Sequence, residues 1–342
     1  MANIQRICPV CGSVSDHRRE NDTRCLNCQE PLAFVQQFGG EEAYGHWKRE
    51  MEAKKEARLQ QGRERIRKDF RLELGADMLA FVDQTQDRGV LVSRNRDAEL
   101  LRNVKKCSIS NLHMCLLHSN GTVSARGNND YNQCLVAGVT EVADVLAAPR
   151  CSYFVHKDGT VSARGSTALR QQIENWTNIQ TLACGDNHLV GLTRDGRVLQ
   201  ASPSATGRSS VETALWQNVV AIAAAIQYTL GLHSDGKVSY AGPSAQMQQE
   251  VAGWENVVAI AADTQYAIGL TKDGRVLLAG KCAPVVDMNR SAARQWTGIA
   301  NVAAGRSIIA AVTAEGKLQL TGNLMDAKAM ETAFDAAAKR IL

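Results

Sequence analysis

Residues 254–280 read WENVVAIAADTQYAIGLTKDGRVLLAG, and most of the chain consists of copies of this stretch. Three apolar runs are separated by two polar breaks, Asp263-Thr264-Gln265 and Lys272-Asp273-Gly274. Each break is short enough for a tight connection between antiparallel strands. Asp-Gly is a strong turn signal because glycine accepts a positive φ without steric cost. Ile268, Leu270, Val276 and Leu278 alternate on either side of it as half-buried strands do. The unit is a small β-meander.

The same register recurs along the chain. Trp176 precedes Gly196, Trp216 precedes Gly236, Trp254 precedes Gly274 and Trp296 precedes Gly316, each by 20 residues. Two further copies lack the Trp but keep the turns at Asn120-Gly121 and Asp158-Gly159. A strand-built period of about 40 residues is the signature of a propeller or another closed repeat array. GADMLAFVDQTQDRGVLVS, residues 75–93, fits as a degenerate seventh copy with Gly89 in the turn position. One meander cannot bury both its faces, so each copy stacks on its neighbours, and closing the ring protects the strand edges. The expectation is an all-β chain with a seven-bladed β-propeller, six blades being the alternative.

TLACGDNHLVGLTRDGRVL (residues 181–199) and AIAADTQYAIGLTKDGRVL (residues 259–277) resemble the regulator-of-chromosome-condensation repeats: an apolar strand, a small-residue turn, an aromatic or His, a second strand and Asp-Gly. The resemblance extends over about residues 75–322. It implies a β-propeller, usually seven-bladed, and says little of activity, because the fold serves guanine-nucleotide exchange factors, enzyme inhibitors, adaptors and ubiquitin-ligase parts. The repeats are short and leave little room for the β-wedge that the exchange factors insert. They look more like the compact bacterial branch of the family.

Ahead of the repeats, Cys8-Pro-Val-Cys11 and Cys25-Leu-Asn-Cys28 form two Cys-x2-Cys pairs, close to the signature of tetrahedral zinc. Four thiolates leave no open coordination position, which predicts structural rather than catalytic Zn2+. A 40-residue segment has too little core to fold alone, so the metal would supply much of its folding energy. The expected organisation is a zinc ribbon over 1–40, a charged helical linker over 41–65, the propeller over 66–322 and an amphipathic helix over 323–342. The last has Met330, Phe334, Ala337 and Ile341 on one stripe. The other six cysteines, Cys107, Cys115, Cys134, Cys151, Cys184 and Cys282, lack regular pairing and suit buried free thiols in a reducing compartment. No run approaches the length of a membrane span, and the N-terminus lacks a signal-peptide pattern, so a cytoplasmic, membrane-free protein is expected.

Charge and histidine placement narrow the function. Residues 74–322 carry 22 basic and 20 acidic groups, which is poor material for a duplex-binding surface. Nucleic-acid contact is expected, if at all, through residues 1–73, where the stretch 48–73 holds ten Lys and Arg against six Asp and Glu. His118, His156 and His233 stand three residues before a turn glycine, and His113 and His188 stand eight before one. They occupy repeat positions rather than a unique constellation, and no hydrolase, zinc-protease or phosphate-loop motif is present. A non-enzymatic interaction module holding a protein partner is the expectation. The alternatives are a guanine-nucleotide exchange factor for a small GTPase, or a nucleic-acid-binding regulator acting through the ribbon and basic helix. Packing fixes the apolar position four before each glycine but leaves the polar turn ahead of it free to vary. That comparison makes Asn111, His113, Asn187, His188, Gln227, Tyr228, Gln265 and Tyr266 the candidate partner-binding residues.

Overall fold

Asp-Gly and its relatives turn the chain back between strands at all six glycines with the regular spacing, where φ lies between 78° and 87°. At Gly159 a Cβ would also stand 2.9 Å from the backbone of Asn178 in the following blade, so an L side chain is refused twice. The turn does a second job. Its glycine carbonyl accepts the N–H of the first strand residue of the next blade: Gly121 from Val142, Gly159 from Ile179, Gly196 from Val219, Gly236 from Val257 and Gly274 from Ile299, each at 3.0 Å. One turn thus closes a hairpin and latches the neighbouring blade.

The computed structural model of the chain describes residues 4–7, 14–17, 41–75, 78–93, 97–186, 188–203, 212–280, 290–305, 308–322 and 327–342. They form two units, 1–62 and 63–342. In the first, Ile4–Ile7 pairs antiparallel with Val14–His17, Ile7 lying opposite Val14. Helix α1, Glu41–Asp69, starts in the first unit and extends four residues past the expected end at 65. Glu50 and Lys54, one turn apart, pair at 2.7 Å on its exposed surface. Cys8, Cys11, Cys25 and Cys28 lie outside the described residues.

The second unit holds seven antiparallel sheets, each an inner, a middle and an outer strand. Blade 1 comprises Phe70–Leu74, Met78–Asp83 and Arg88–Ser93, with Ala98–Arg102 as a fourth strand. Blade 2 is Val104–Ile109, His113–His118 and Val123–Gly127. Blade 3 is Val142–Ala148, Cys151–His156 and Val161–Gly165. Blades 4, 5 and 6 begin at Ile179, Val219 and Val257, and end at Ala201, Ala241 and Ala279. Blade 7 is Ile299–Gly305, Ile308–Thr313 and Leu318–Gly322. Seven blades, not six, make the ring. Blade 1 departs from the expected register: Gly89 sits inside the outer strand, and Asp87 takes the left-handed conformation, φ 50°, whose carbonyl latches Val104. Short Asp tolerates that conformation better than most side chains.

Between blades 3 and 7 the connections carry short helices: α2 (Arg170–Ile173), α3 (Ala245–Ala252) and a 3₁₀ turn at Arg290–Gln295. All four of these connections lead to a Trp, and in three of them it lies over a glycine with no room for a side chain. A Cβ on Gly191 would meet Trp176 at 2.8 Å, on Gly231 would meet Trp216 at 2.6 Å, and on Gly269 would meet Trp254 at 2.9 Å. Blade 7 places Ala311 at this position beside the half-buried Trp296. Blades 2 and 3, whose connections lack the Trp, fill the same middle-strand position with Leu116 and Phe154, both buried. Interiors are packed near crystal density, so one large group per site is required and its source is interchangeable.

The ring closes between blades 7 and 1 by side chains. Phe70, Leu72, Phe81 and Val90 share a buried cluster with Ala300, Ile308, Ala310 and Val312. Helix α4 (Ala327–Ala338) covers this seam with Met330, Phe334 and Ala337, and Ile341 follows. Phe334 meets Phe81 edge-on at 5.4 Å, and Phe81 stacks on Phe70 at 4.7 Å. The amphipathic stripe read from the sequence is therefore the ring's plug.

Candidate functional site

The turns from inner to middle strand converge at one end of the ring. Gly75, Asn111, Pro149, Asp186, Ile226, Thr264 and Gly305, one from each blade, line a common cavity of about 320 Å³ at the channel mouth. A wider groove of about 600 Å³ opens beside it between blades 3 and 4, bordered by Leu112, Arg150, Asp186 and Pro203. The Arg150 guanidinium lies 5.3 Å from the Tyr131 ring centre.

The eight candidate residues divide at this mouth. Asn111 and Gln227 are exposed and Gln265 is half-buried, while Asn187 lies outside the described residues. His113, His188, Tyr228 and Tyr266 are all buried. The side chains of His113, His188 and Tyr228 tie blade to blade, and Tyr266 packs in the cluster shared by blades 6 and 7. His113 Nε2 lies 2.8 Å from Ser152 Oγ of blade 3, and its Nδ1 lies 3.0 Å from Ser110 Oγ. His188 Nε2 lies 3.0 Å from Thr229 Oγ1 of blade 5. The Tyr228 hydroxyl points at two carbonyls of blade 6, Asp263 at 2.7 Å and Tyr266 at 2.6 Å. The expectation that these four contact a partner gives way to a structural role, because a polar tip on a large ring suits a buried seam that needs both volume and a hydrogen bond. Burial pushes the His113 imidazole down to about 4 and lowers that of His188, so both are neutral near pH 7. It pushes the Tyr228 phenol well up.

The other repeat histidines are equally structural. His118 Nδ1 faces the Asn103 carbonyl at 3.2 Å and its Nε2 faces Ser124 Oγ at 2.8 Å. His156 and His233 repeat the arrangement with Thr140 and Ser162, and with Gln217 and Ser239. A carbonyl only accepts, so Nδ1 carries the proton and Nε2 accepts from the serine. In blades 4 and 6, Thr193 and Thr271 brace the turn instead, donating to the carbonyls of Arg197 and Arg275.

A polar belt on the innermost strands escaped the sequence reading. Lys106 Nζ meets Asp144 Oδ1 at 2.5 Å, and Thr181 Oγ1 donates to Asp144 Oδ2 at 2.5 Å, joining blades 2, 3 and 4. Burial raises the Glu73 carboxyl of blade 1 to about 7, against the pull of the Lys106 ammonium. All three partners stand 15 residues before their turn glycine, where blades 5 and 6 have Ala221 and Ala259. Reading that column across the copies would have exposed the asymmetry. Cys107, Cys115 and Cys151 are buried free thiols, and Cys134 and Cys184 are half-buried free thiols. Burial pushes Cys115 and Cys151 to about 11 and Cys184 to about 12, which disfavours the nucleophilic thiolate. No group of metal-binding residues occurs among the described residues, and no described helix is long and apolar enough to cross a membrane.

No protein-family model matches the sequence, and no curated protein matches it. Solved structures do. The CRINKLY WD40 ectodomain of the Arabidopsis thaliana receptor kinase ACR4 is similar with a TM-score of 0.55 at 16% identity, over 75% of this chain and 95% of that one. The ectodomain of the Physcomitrella patens receptor kinase CR4 is similar with a TM-score of 0.55 at 15% identity, over 74% of this chain and 73% of that one. Prp20p from Saccharomyces cerevisiae gives a TM-score of 0.48 at 14% identity, over 79% and 85% of the two chains. The first two likenesses, set beside the seven sheets and their ring closure, make this chain a seven-bladed β-propeller.

Proposed function

We propose that this chain is a non-catalytic interaction protein of the cytoplasm whose propeller holds a protein partner at the channel mouth. The observation that carries the reading is the convergence of seven turns on one cavity and its adjoining groove. The apolar residues beneath each turn repeat, while the turn tips differ from blade to blade: Asn111, Pro149, Asp186, Ile226 and Thr264. A scaffold that repeats and a rim that does not is what a binding surface on rigid elements requires. Affinity capture from the native cell, with wild type against a variant carrying Asn111→Ala, Arg150→Ala, Asp186→Ala and Gln227→Ala, tests it. The partner should be lost from the variant while its melting temperature is kept. Retention of the same partner would refute the mouth as the site.

The N-terminal unit is proposed to hold one structural Zn2+ through Cys8, Cys11, Cys25 and Cys28. Ile7 and Val14, on either side of the first Cys pair in the sequence, are strand partners, and four thiolates suit a borderline-soft ion. Cys25→Ser should release the metal and unfold the first unit while the propeller's melting stays in place. Elemental analysis of protein purified without chelator, finding no zinc, would end the proposal.

A further inference from the structure

We propose that the outer edge of blade 2 receives an extended segment of a partner protein as a fourth strand, bonded through the main chain of Val123, Ala125 and Gly127 and carrying a carboxylate against Arg126. The proposal concerns a different surface from the channel mouth and does not depend on it.

Every three-stranded blade of the ring leaves one row of main-chain groups facing outward. In six of the seven blades something covers that row. Blade 1 has its own fourth strand, Ala98–Arg102. In blade 3 the Arg170 guanidinium donates to the Ala163 and Gly165 carbonyls at 3.2 and 3.3 Å. Gln172 exchanges two hydrogen bonds with the main chain of Ser202 at the edge of blade 4. Helix α3 packs on the outer strand of blade 5. Arg294 binds the Leu278 carbonyl of blade 6 at 3.1 Å, and Glu250 accepts the Gly280 N–H at 2.7 Å. In blade 7, Asp335 accepts from the Leu318 N–H at 3.0 Å and Glu331 from the Leu320 N–H at 3.1 Å. An open strand edge is a template for pairing, and this chain caps its edges one by one.

Blade 2 has the same outer sequence as blade 3, Val-Ser-Ala-Arg-Gly, at 123–127 and 161–165. It also has the same register, His113 opposite Gly127 and Cys115 opposite Ala125, as Cys151 is opposite Gly165 and Tyr153 opposite Ala163. The carbonyls of Ala125 and Gly127 therefore point outward like those that Arg170 binds in blade 3. Val136 and Val139 pack beside Val123 and Ala125, but among the described residues no donor reaches these two carbonyls. Arg126 and Gly127 are exposed, and Ser124 and Ala125 half-buried. The neighbouring blade 1 shows that a fourth strand fits this position of the fold.

Charge selects the occupant. Arg126 pairs with Glu99 at 3.0 Å, both more than or about half exposed, a pair worth little and readily exchanged. A second copy paired antiparallel about Ala125 would bring two Arg126 side chains onto one face, whereas a partner segment with Asp or Glu opposite Arg126 gains a favourable cross-strand pair. Main-chain bonds would supply affinity and that pair the preference, as in other strand-addition complexes.

The test selects a random nonapeptide phage library on the immobilised full-length chain and measures the enriched sequences as synthetic peptides. Enriched peptides should carry a central acidic residue and lack proline there, and binding should slow amide exchange at Ala125 and Gly127 at least tenfold. Ala125→Pro removes an outward N–H but no bond to the middle strand, so it should keep the fold and weaken binding tenfold or more. Arg126→Glu should weaken acidic peptides, with affinity regained in Arg126→Lys. Protection of other amides in wild type, or unchanged affinity in both Ala125→Pro and Arg126→Glu, would overturn the proposal. So would a dimer of the chain that dissociates in Ala125→Pro.

Discussion

Six seams of this ring join blades that follow one another in the chain, and the seventh joins the last blade to the first. The consecutive seams are latched by the main chain: a turn residue accepts the first N–H of the next strand, at every seam from Asp87 to Gly274. At the seventh, a Cβ on Gly316 would run into the Leu342 side chain, so Leu342 occupies the latch position. Arg65 and Arg88 hold the Leu342 and Ile341 carbonyls at 3.1 and 3.3 Å. Apolar burial under α4 replaces the repeated hydrogen bond. Local connectivity makes a latch entropically cheap between neighbours. Ends more than two hundred residues apart need a large buried surface to offset the loop closed between them.

That contrast can be broken most directly by removing residues 327–342. The edge of blade 7 and Phe70, Phe81 and Val90 would lose their cover, and the truncated chain should lose cooperative melting and aggregate. A truncation that melts like the full chain would show the seam needs no plug. Next in size is Trp216→Ala, expected to cost about 3–5 kcal/mol because the ring is nearly fully buried over Gly231. Adding Gly231→Leu should recover part of that loss, by the packing that blades 2 and 3 already use. Chemical denaturation of the two single variants and the double variant gives the coupling, and strict additivity would refute the exchangeable-volume account.

A smaller effect separates the polar from the apolar part of the inner strands. The Glu73 carboxyl is raised to about 7 by burial, against about 4.3 for an unfolded glutamate. Between those values the folded state binds more protons, so the contribution of this group to stability is present at low pH and is lost as pH rises through about 7. Glu73→Gln should flatten the urea midpoint between pH 5 and 8 and add about 1–2 kcal/mol at pH 8, a figure reduced for partial exposure. An unchanged pH profile would place the titration elsewhere.

The smallest test concerns the residue just before each inner strand. Asn103, Asn178, Asn218, Asn256 and Gly298 adopt positive φ there, as does Glu141 at 55°. Asn and Gly tolerate this conformation and Glu does not. Glu141→Asn should raise stability by about 0.5–1 kcal/mol, net of the exposed 2.9 Å pair with Lys157. A lowered melting temperature would mean the pair outweighs the backbone strain.

By itself the sequence determined the repeat and its period, and it left seven blades with six as the alternative. Turn chemistry is local, and glycine is demanded at Gly121, Gly159, Gly196, Gly236, Gly274 and Gly316 by the backbone alone. The stripe Met330, Phe334, Ala337, Ile341 was equally legible, because helical periodicity announces a buried face without naming what covers it. Only the tertiary structure decided what each column of the repeat faces. His113, His188, Tyr228 and Tyr266 have the chemistry of contact residues, and nothing local distinguishes a ring turned into a seam from one turned to solvent. Asp87 rather than Gly89 makes the first turn because the strand pairing of blade 1 sets the register. The two Val-Ser-Ala-Arg-Gly strands are identical in sequence, yet one is capped by Arg170 and the other has no such cap among the described residues, since edge protection comes from residues that the chain brings in from elsewhere.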